Sequence, residues 1–188
     1  MVGRLLIFMS IGLWGVLELY VFFILNRKTY KENKEKKSKL IILFCILIGI
    51  FGPLVVDPSV IEALLLPFRG WKYFSIPLIL AGIIIRFSAI RQLGTAFSVN
   101  IGVLKESKLK RDGLYSLVRH PSYLGEIIIF LGVSVAFFHP VGSFFAFVFP
   151  TAAFIYRIQM EEKVLIASFG EEYRQYQKRT KKVIPFTY

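Results

Sequence analysis

One cysteine, two histidines and two tryptophans are all that this 188-residue chain has of those types. Cys45 therefore has no internal disulfide partner, and its place inside an apolar run suits a packing role. With only His120 and His139 beside it, the ligand set of a His- or Cys-based metal site is missing, and no metal is expected. The chain also lacks a P-loop, a Gly-x-Gly-x-x-Gly turn after a strand, and a Ser-His-Asp pattern. Those absences set aside the common nucleotide-cradling loops and the hydrolase triad. Negative charge is scarce too: 12 Asp and Glu stand against 24 Lys and Arg, for a formal net charge of +12.

What the chain has in quantity is hydrocarbon. Hydrophobic residues make up 55% of it, with 19 Phe among them. Soluble domains run at roughly 45–50% even when Gly is counted. A bilayer core about 30 Å thick takes about 20 helical residues per crossing. Five apolar runs fit that length, at about 4–25, 40–56, 73–90, 121–138 and 141–159. The first is longer than a signal-peptide core and no small-x-small cleavage site follows it, so it reads as a retained span. "DPSVIEALLLPFRGW" is too short and Pro-broken to cross, and reads as interfacial. Pro150 should kink the fifth run, and His139-Pro140 reads as a tight turn between the last two.

Basic residues cluster in the loops beside these runs, where they signal topology and attraction to anionic lipid rather than nucleic-acid binding. The segments 26–39, 91–120 and the C-terminal tail hold nineteen Lys and Arg, whereas the opposite side holds only Arg4, Arg69 and Lys72. The positive-inside rule then predicts an all-α, polytopic integral membrane helix bundle of about five transmembrane helices, N-terminus outside and C-terminus cytoplasmic. Residues 1–83 would supply N-terminal membrane helices and the interfacial segment, residues 84–188 the functional core, the two folding as one unit. On this topology Glu18, Arg86, Glu126, Arg157, Glu161 and Glu162 all fall in the inner-leaflet half. Ionised groups at that depth need partners, and a functional polar cluster and structural ion pairs are both open readings.

"RHPSY" at 119–123 is the densest polar feature. Pro121 suits the first turn of a helix and pushes His120 into extended backbone. His120 is thereby set beside unbonded N–H groups at the positive end of a helix dipole, a ready anion site. Downstream, "RIQMEEKVLIASFGEEYRQYQKRTKKVIPF" continues from the fifth run as a basic amphipathic helix. Arg157 and Glu161 are four apart on it and share a face.

Arg119-His120-Pro121-Ser122-Tyr123, preceded by Gly113-Leu114-Tyr115 and followed by Glu161-Glu162 and Phe169-Gly170-Glu171-Glu172-Tyr173, resembles the isoprenylcysteine carboxyl methyltransferase family. The likeness extends to the membrane phospholipid methyltransferases and covers about residues 84–186. It implies a membrane bundle with an S-adenosylmethionine (SAM) pocket at the cytosolic face, closed by the region after the last span; the product would be S-adenosylhomocysteine. Carried over residue by residue, it implies cofactor contacts from Tyr115, Arg119, His120, Pro121, Ser122, Tyr123 and Glu161. Asn100 and the segment Ser107, Lys108, Leu109 and Lys110 would contribute as well. Arg86 and Arg157 resemble the family's embedded arginines facing a lipid substrate, and are the candidate catalytic residues with Glu126. The acceptor would be a lipophilic or prenylated molecule entering from the bilayer, methylated on its carboxylate. An amine acceptor would need a base, for which Glu126 or His120 are candidates. A phospholipid N-methyltransferase, an NADPH-dependent sterol-type membrane reductase and a non-enzymatic membrane scaffold remain the alternatives.

Overall fold

A computed structural model of the chain describes residues 2–23, 35–57, 59–60, 70–94 and 108–184. Among these residues the fold is all-helical, with one isolated bridge pairing Val118 and Lys181. The helices are α1 (Val2–Phe23), α2 (Glu35–Val56), α3 (Ser75–Leu93, preceded by a 3-10 turn at Gly70–Phe74), the short α4 (Leu114–Leu117), α5 (Pro121–Phe137), α6 (Pro140–Phe169) and α7 (Glu171–Arg179). Each expected apolar run thus falls on a helix. Two stretches, Gly70–Leu93 and Pro140–Phe169, are long and apolar enough to cross a membrane; Phe8–Val21, Leu40–Val56 and Pro121–Phe137 are shorter apolar segments.

Packing follows the small residues. α3 lies along α5, and Gly82 and Gly125 let the two backbones close up: a Cβ on Gly82 would stand 2.6 Å from the Gly125 carbonyl oxygen. Gly132, two turns on, meets Ile79 and the Ser75 carbonyl in the same way. Hydrocarbon solvent gives apolar side chains no reason to prefer each other over lipid, so close backbone approach carries much of such an interface. Ile79, Ile83 and Ile129 fill the seam, with Trp14 and Leu17 of α1 packed against it. α2 pairs with α6 by the same means, Gly49 fitting against Pro150 and Gly52 against the Phe145 ring. Pro150 is buried inside α6, which runs through it as one helix. Outward faces are apolar, as at Phe8, Leu13, Phe44, Val55 and Ile84.

At one end of α5, Phe138 adopts a left-handed conformation (φ 51°) and Pro140 starts α6. His139 does more there than turn the chain: Ser59 Oγ lies 3.1 Å from its Nε2 and donates to Asp57 Oδ1 at 2.6 Å, tying the end of α2 to the turn. At the other end, the tail read as one amphipathic helix is two. α6 stops at Gly170, whose φ of 54° ends the helical path, and α7 restarts at once. Glu171 and Glu172 in the first turn of α7 and Lys178 and Arg179 in its last complement its dipole.

Candidate functional site

The site is assembled around the start of α5. Pro121 sits at the first helical position and His120 at the cap, so the local geometry follows from the sequence. What the chain adds is a strap. The N–H groups of Arg119 and His120 donate to the carbonyls of Lys181 and Lys182 at 2.8 and 2.9 Å, so the tail lies alongside as a one-bridge parallel pair. Those two N–H groups are therefore taken, and the unbonded donors behind His120 are those of the first turn of α5.

Arg119 clamps the strap from its side chain. Its Nε donates to Glu162 Oε1 at 2.8 Å, and its Nη1 donates to the Gln177 carbonyl at 3.3 Å and to the Thr180 carbonyl. Both partners of the ion pair are nearly closed to solvent, with side chains 6% and 9% exposed. Tyr173 Oη donates to the same Glu162 oxygen at 3.4 Å, and Tyr176 Oη donates to the Tyr115 carbonyl. Burial pushes the hydroxyls of Tyr115, Tyr173 and Tyr176 well above the usual phenol range, Tyr176 to about 12, so all three stay donors. Tyr115 uses its own to reach the Ala89 carbonyl on α3 at 3.3 Å. α4 is docked from above by Gln92, whose Oε1 accepts the Leu114 N–H at 2.8 Å.

His120 is buried, and its Nε2 makes no hydrogen bond, standing 3.5 Å from Glu162 Oε1. Its ring lies 5.8 Å from that of Tyr123, which leads on to Phe154, Phe130 and Trp14. Arg157 Nε donates to Tyr123 Oη at 2.9 Å, with Glu161 at the same hydroxyl. The carboxylate facing Arg119 and His120 is thus Glu162, while its neighbour Glu161 turns to Tyr123.

A second polar cluster lies one turn deeper. Arg86 of α3 receives Glu18 from α1 and Glu126 from α5, its Nε 2.5 Å from an oxygen of each, and its Nη1 donates to Ser122 Oγ at 2.9 Å. Arg86 and Glu126, both proposed on sequence grounds to serve the acceptor, are thus each other's partners. Glu18, visible in the sequence only as an embedded charge, joins them.

Of the sequence-derived candidates, Arg86, Tyr115, Arg119, His120, Pro121, Ser122, Tyr123, Glu126, Arg157 and Glu161 converge on this end of the bundle. Lys108 is exposed, Leu109 is partly buried, and Lys110 is occupied with Asp112, its Nζ 3.0 Å from Oδ2. Asn100 and Ser107 lie outside the described residues. Missed by the sequence reading were the strap carbonyls of Lys181 and Lys182 and the residues Gln92 and Glu162. Glu162 sat inside the quoted motif, and Gln92 in the last turn of Arg86's own helix, α3; neither carries a signal that separates it from a solvated neighbour.

These features define an all-helical protein with apolar outer faces and an ionised, largely buried site at one end of the bundle. The model of the isoprenylcysteine carboxyl methyltransferase (ICMT) family matches residues 74–167, half of the chain, and the chain belongs to that family. Protein-S-isoprenylcysteine O-methyltransferase B of Arabidopsis thaliana is 34% identical over 115 residues, covering 60% of this chain and 58% of that protein. A probable protein-S-isoprenylcysteine O-methyltransferase of Oryza sativa subsp. indica is 31% identical over 131 residues, covering 66% and 69%. Methanethiol S-methyltransferase 1 of Bradyrhizobium diazoefficiens is 39% identical over 80 residues, 42% of this chain and 27% of that one. The chain thus spans little more than half the length of the Arabidopsis protein. The solved structure of the eukaryotic intramembrane Ras methyltransferase ICMT shares the fold, with a TM-score of 0.57 at 22% identity over 82% of this chain and 54% of that one.

Proposed function

We propose that the chain is a multi-pass membrane methyltransferase that uses SAM to methylate the carboxylate of a lipophilic, prenyl-cysteine-like acceptor entering from the bilayer. The observation that carries the reading is the start of α5. There a buried histidine with an unused Nε2 adjoins first-turn N–H donors, the Arg119–Glu162 pair and the Tyr123–Arg157 pair. The protein-S-isoprenylcysteine O-methyltransferases among its relatives support the same chemistry. SAM presents a carboxylate, an amine and a sulfonium. First-turn N–H groups at Ser122 and Tyr123 suit the carboxylate, Glu161 suits the cationic groups, and His120 Nε2 offers one unsatisfied polar atom. The residues present therefore fit the cofactor, which when bound supplies an electrophilic methyl group.

A carboxylate acceptor is already ionised at neutral pH, so this chain's residues need not remove a proton. Their work is orientation and exclusion of water. Arg157, steadied by Tyr123, is the cation that orients the acid; Arg86 has its fork filled by Glu18, Glu126 and Ser122. A proton-bearing acceptor, amine or thiol, is the second reading, and it is favoured by the same Nε2, which makes no hydrogen bond and is the candidate general base. Five crossings with the site facing the cytoplasm accord with the asymmetry of basic residues. The Glu18–Arg86 pair supports residues 1–83 and 84–188 as one folding unit.

The deciding experiment is calorimetric titration of detergent-purified full-length protein with SAM and with NADPH. SAM binding by the wild type is expected, weakened at least about tenfold in His120→Ala and Glu161→Ala. A folded wild type that takes NADPH, or neither ligand, overturns the reading.

A further inference from the structure

α1 reaches the bundle mainly through α3, and it delivers one carboxylate into the deeper cluster. Glu18 grips Arg86 with both oxygens: Nε donates to Oε1 at 2.5 Å and Nη2 to Oε2 at 2.7 Å. A fork of this kind fixes the plane of the guanidinium as well as its place. The remaining nitrogen, Nη1, is thereby aimed at Ser122 Oγ, 2.9 Å away in the first turn of α5. Arg86 is a rigid strut between α1 and the helix start that follows His120.

Glu18 is one of two carboxyl groups at this guanidinium. Glu126, with its side chain 2% exposed, brings its Oε1 to 2.5 Å from Arg86 Nε. What Glu18 contributes is direction. It occupies the Nε–Nη2 edge, which leaves the Nη1 edge to Ser122. Without it, the guanidinium is free to turn that edge onto Glu126 and release the serine.

On the methyltransferase reading above, we infer that Glu18 is a positioning residue for the cofactor site, acting through Arg86 on Ser122 and the first turn of α5. Glu18 lies outside the residues matched by the family model, so part of the site's geometry is set by a helix that the model does not cover.

The test uses full-length protein in detergent, with SAM affinity by calorimetry and unfolding by thermal scan. The variants are Glu18→Gln, Glu18→Asp, Ser122→Ala and the double variant Glu18→Gln with Ser122→Ala. Glu18→Gln is expected to weaken SAM binding by roughly fivefold to tenfold, with partial recovery in Glu18→Asp. In the Ser122→Ala background the same substitution should change SAM affinity less than about twofold, while its shift of the unfolding midpoint persists. Unchanged affinity in Glu18→Gln overturns the inference, as does a full additive loss in the double variant, which would mark Glu18 as a general stabiliser. Should Glu18→Gln fail to fold, Glu18→Asp completes the same cycle. A wild type that binds no SAM removes the methyltransferase reading and this inference together, whereas the other outcomes remove this inference alone.

Discussion

Gly82 and Gly125 face each other across α3 and α5 so closely that a Cβ on Gly125 would stand 2.7 Å from the Gly82 carbonyl oxygen and 2.8 Å from Arg86 Cβ. This contact lies one turn from Arg86 along α3 and next to Glu126 on α5, so it sets how near those two side chains come. Gly125→Ala should therefore cost about 1–3 kcal/mol, the usual penalty of overpacking. Thermal unfolding in detergent measures it. Gly12→Ala is the control, because a Cβ there meets nothing within 4 Å and its effect should stay within about 0.5 kcal/mol.

The Arg119–Glu162 pair is buried and carries the strap with it, so Arg119→Lys is not a conservative change. Lysine keeps the charge but cannot hold Glu162 and two tail carbonyls from one planar group. The tail should then leave Val118–His120, and hydrogen exchange at the Arg119 and His120 amides should quicken by at least about tenfold. Slow exchange at both amides in a folded Arg119→Lys protein would show that the strap holds without the clamp.

How much of this was legible from the residues alone can be said helix by helix. The five apolar runs marked α1, α2, α3, α5 and α6, because a chain with so little charge inside such runs has few other ways to satisfy its backbone. Pro121 announced the start of α5 for a local reason that needs no tertiary context. Glu162 was harder. Adjacent residues on a helix point about 100° apart, and in "MEEKV" either glutamate could face inward until α7 and the strap are in place. The break at Gly170 was also visible in principle, but an amphipathic pattern on both sides read through it. The partnership of Glu18 with Arg86 joins residues 68 positions apart, and no periodicity within either helix encodes it.

Arg157 and Tyr123 separate cofactor binding from acceptor orientation under the methyltransferase reading. Arg157→Ala should leave SAM affinity within about threefold of the wild type while lowering kcat/KM for methyl transfer by about a hundredfold or more, some 2.7 kcal/mol of transition-state stabilisation. Calorimetry with SAM and transfer of a labelled methyl group to a prenyl-cysteine give the two numbers. Loss of both together would place Arg157 in the cofactor pocket or the fold.

Gly170 tests whether the break between α6 and α7 matters to the site. Its backbone lies at φ 54° and ψ −124°, a conformation that side-chain-bearing residues rarely adopt, although a Cβ there would meet nothing within 4 Å. Gly170→Ala therefore carries a conformational penalty of about 1–3 kcal/mol with no steric clash to confuse it. If the chain escapes that strain by continuing α6 as one helix, α7 swings away, and Tyr173 leaves Glu162 while Tyr176 leaves the Tyr115 carbonyl. Their hydroxyls, now held above the ordinary phenol range by burial, would return towards it. An ultraviolet titration of the tyrosines between neutral and alkaline pH should then show about two more groups ionising near 10 in the variant than in the wild type. An unchanged titration with a lowered unfolding midpoint would mean that the strained turn is kept and α7 stays docked.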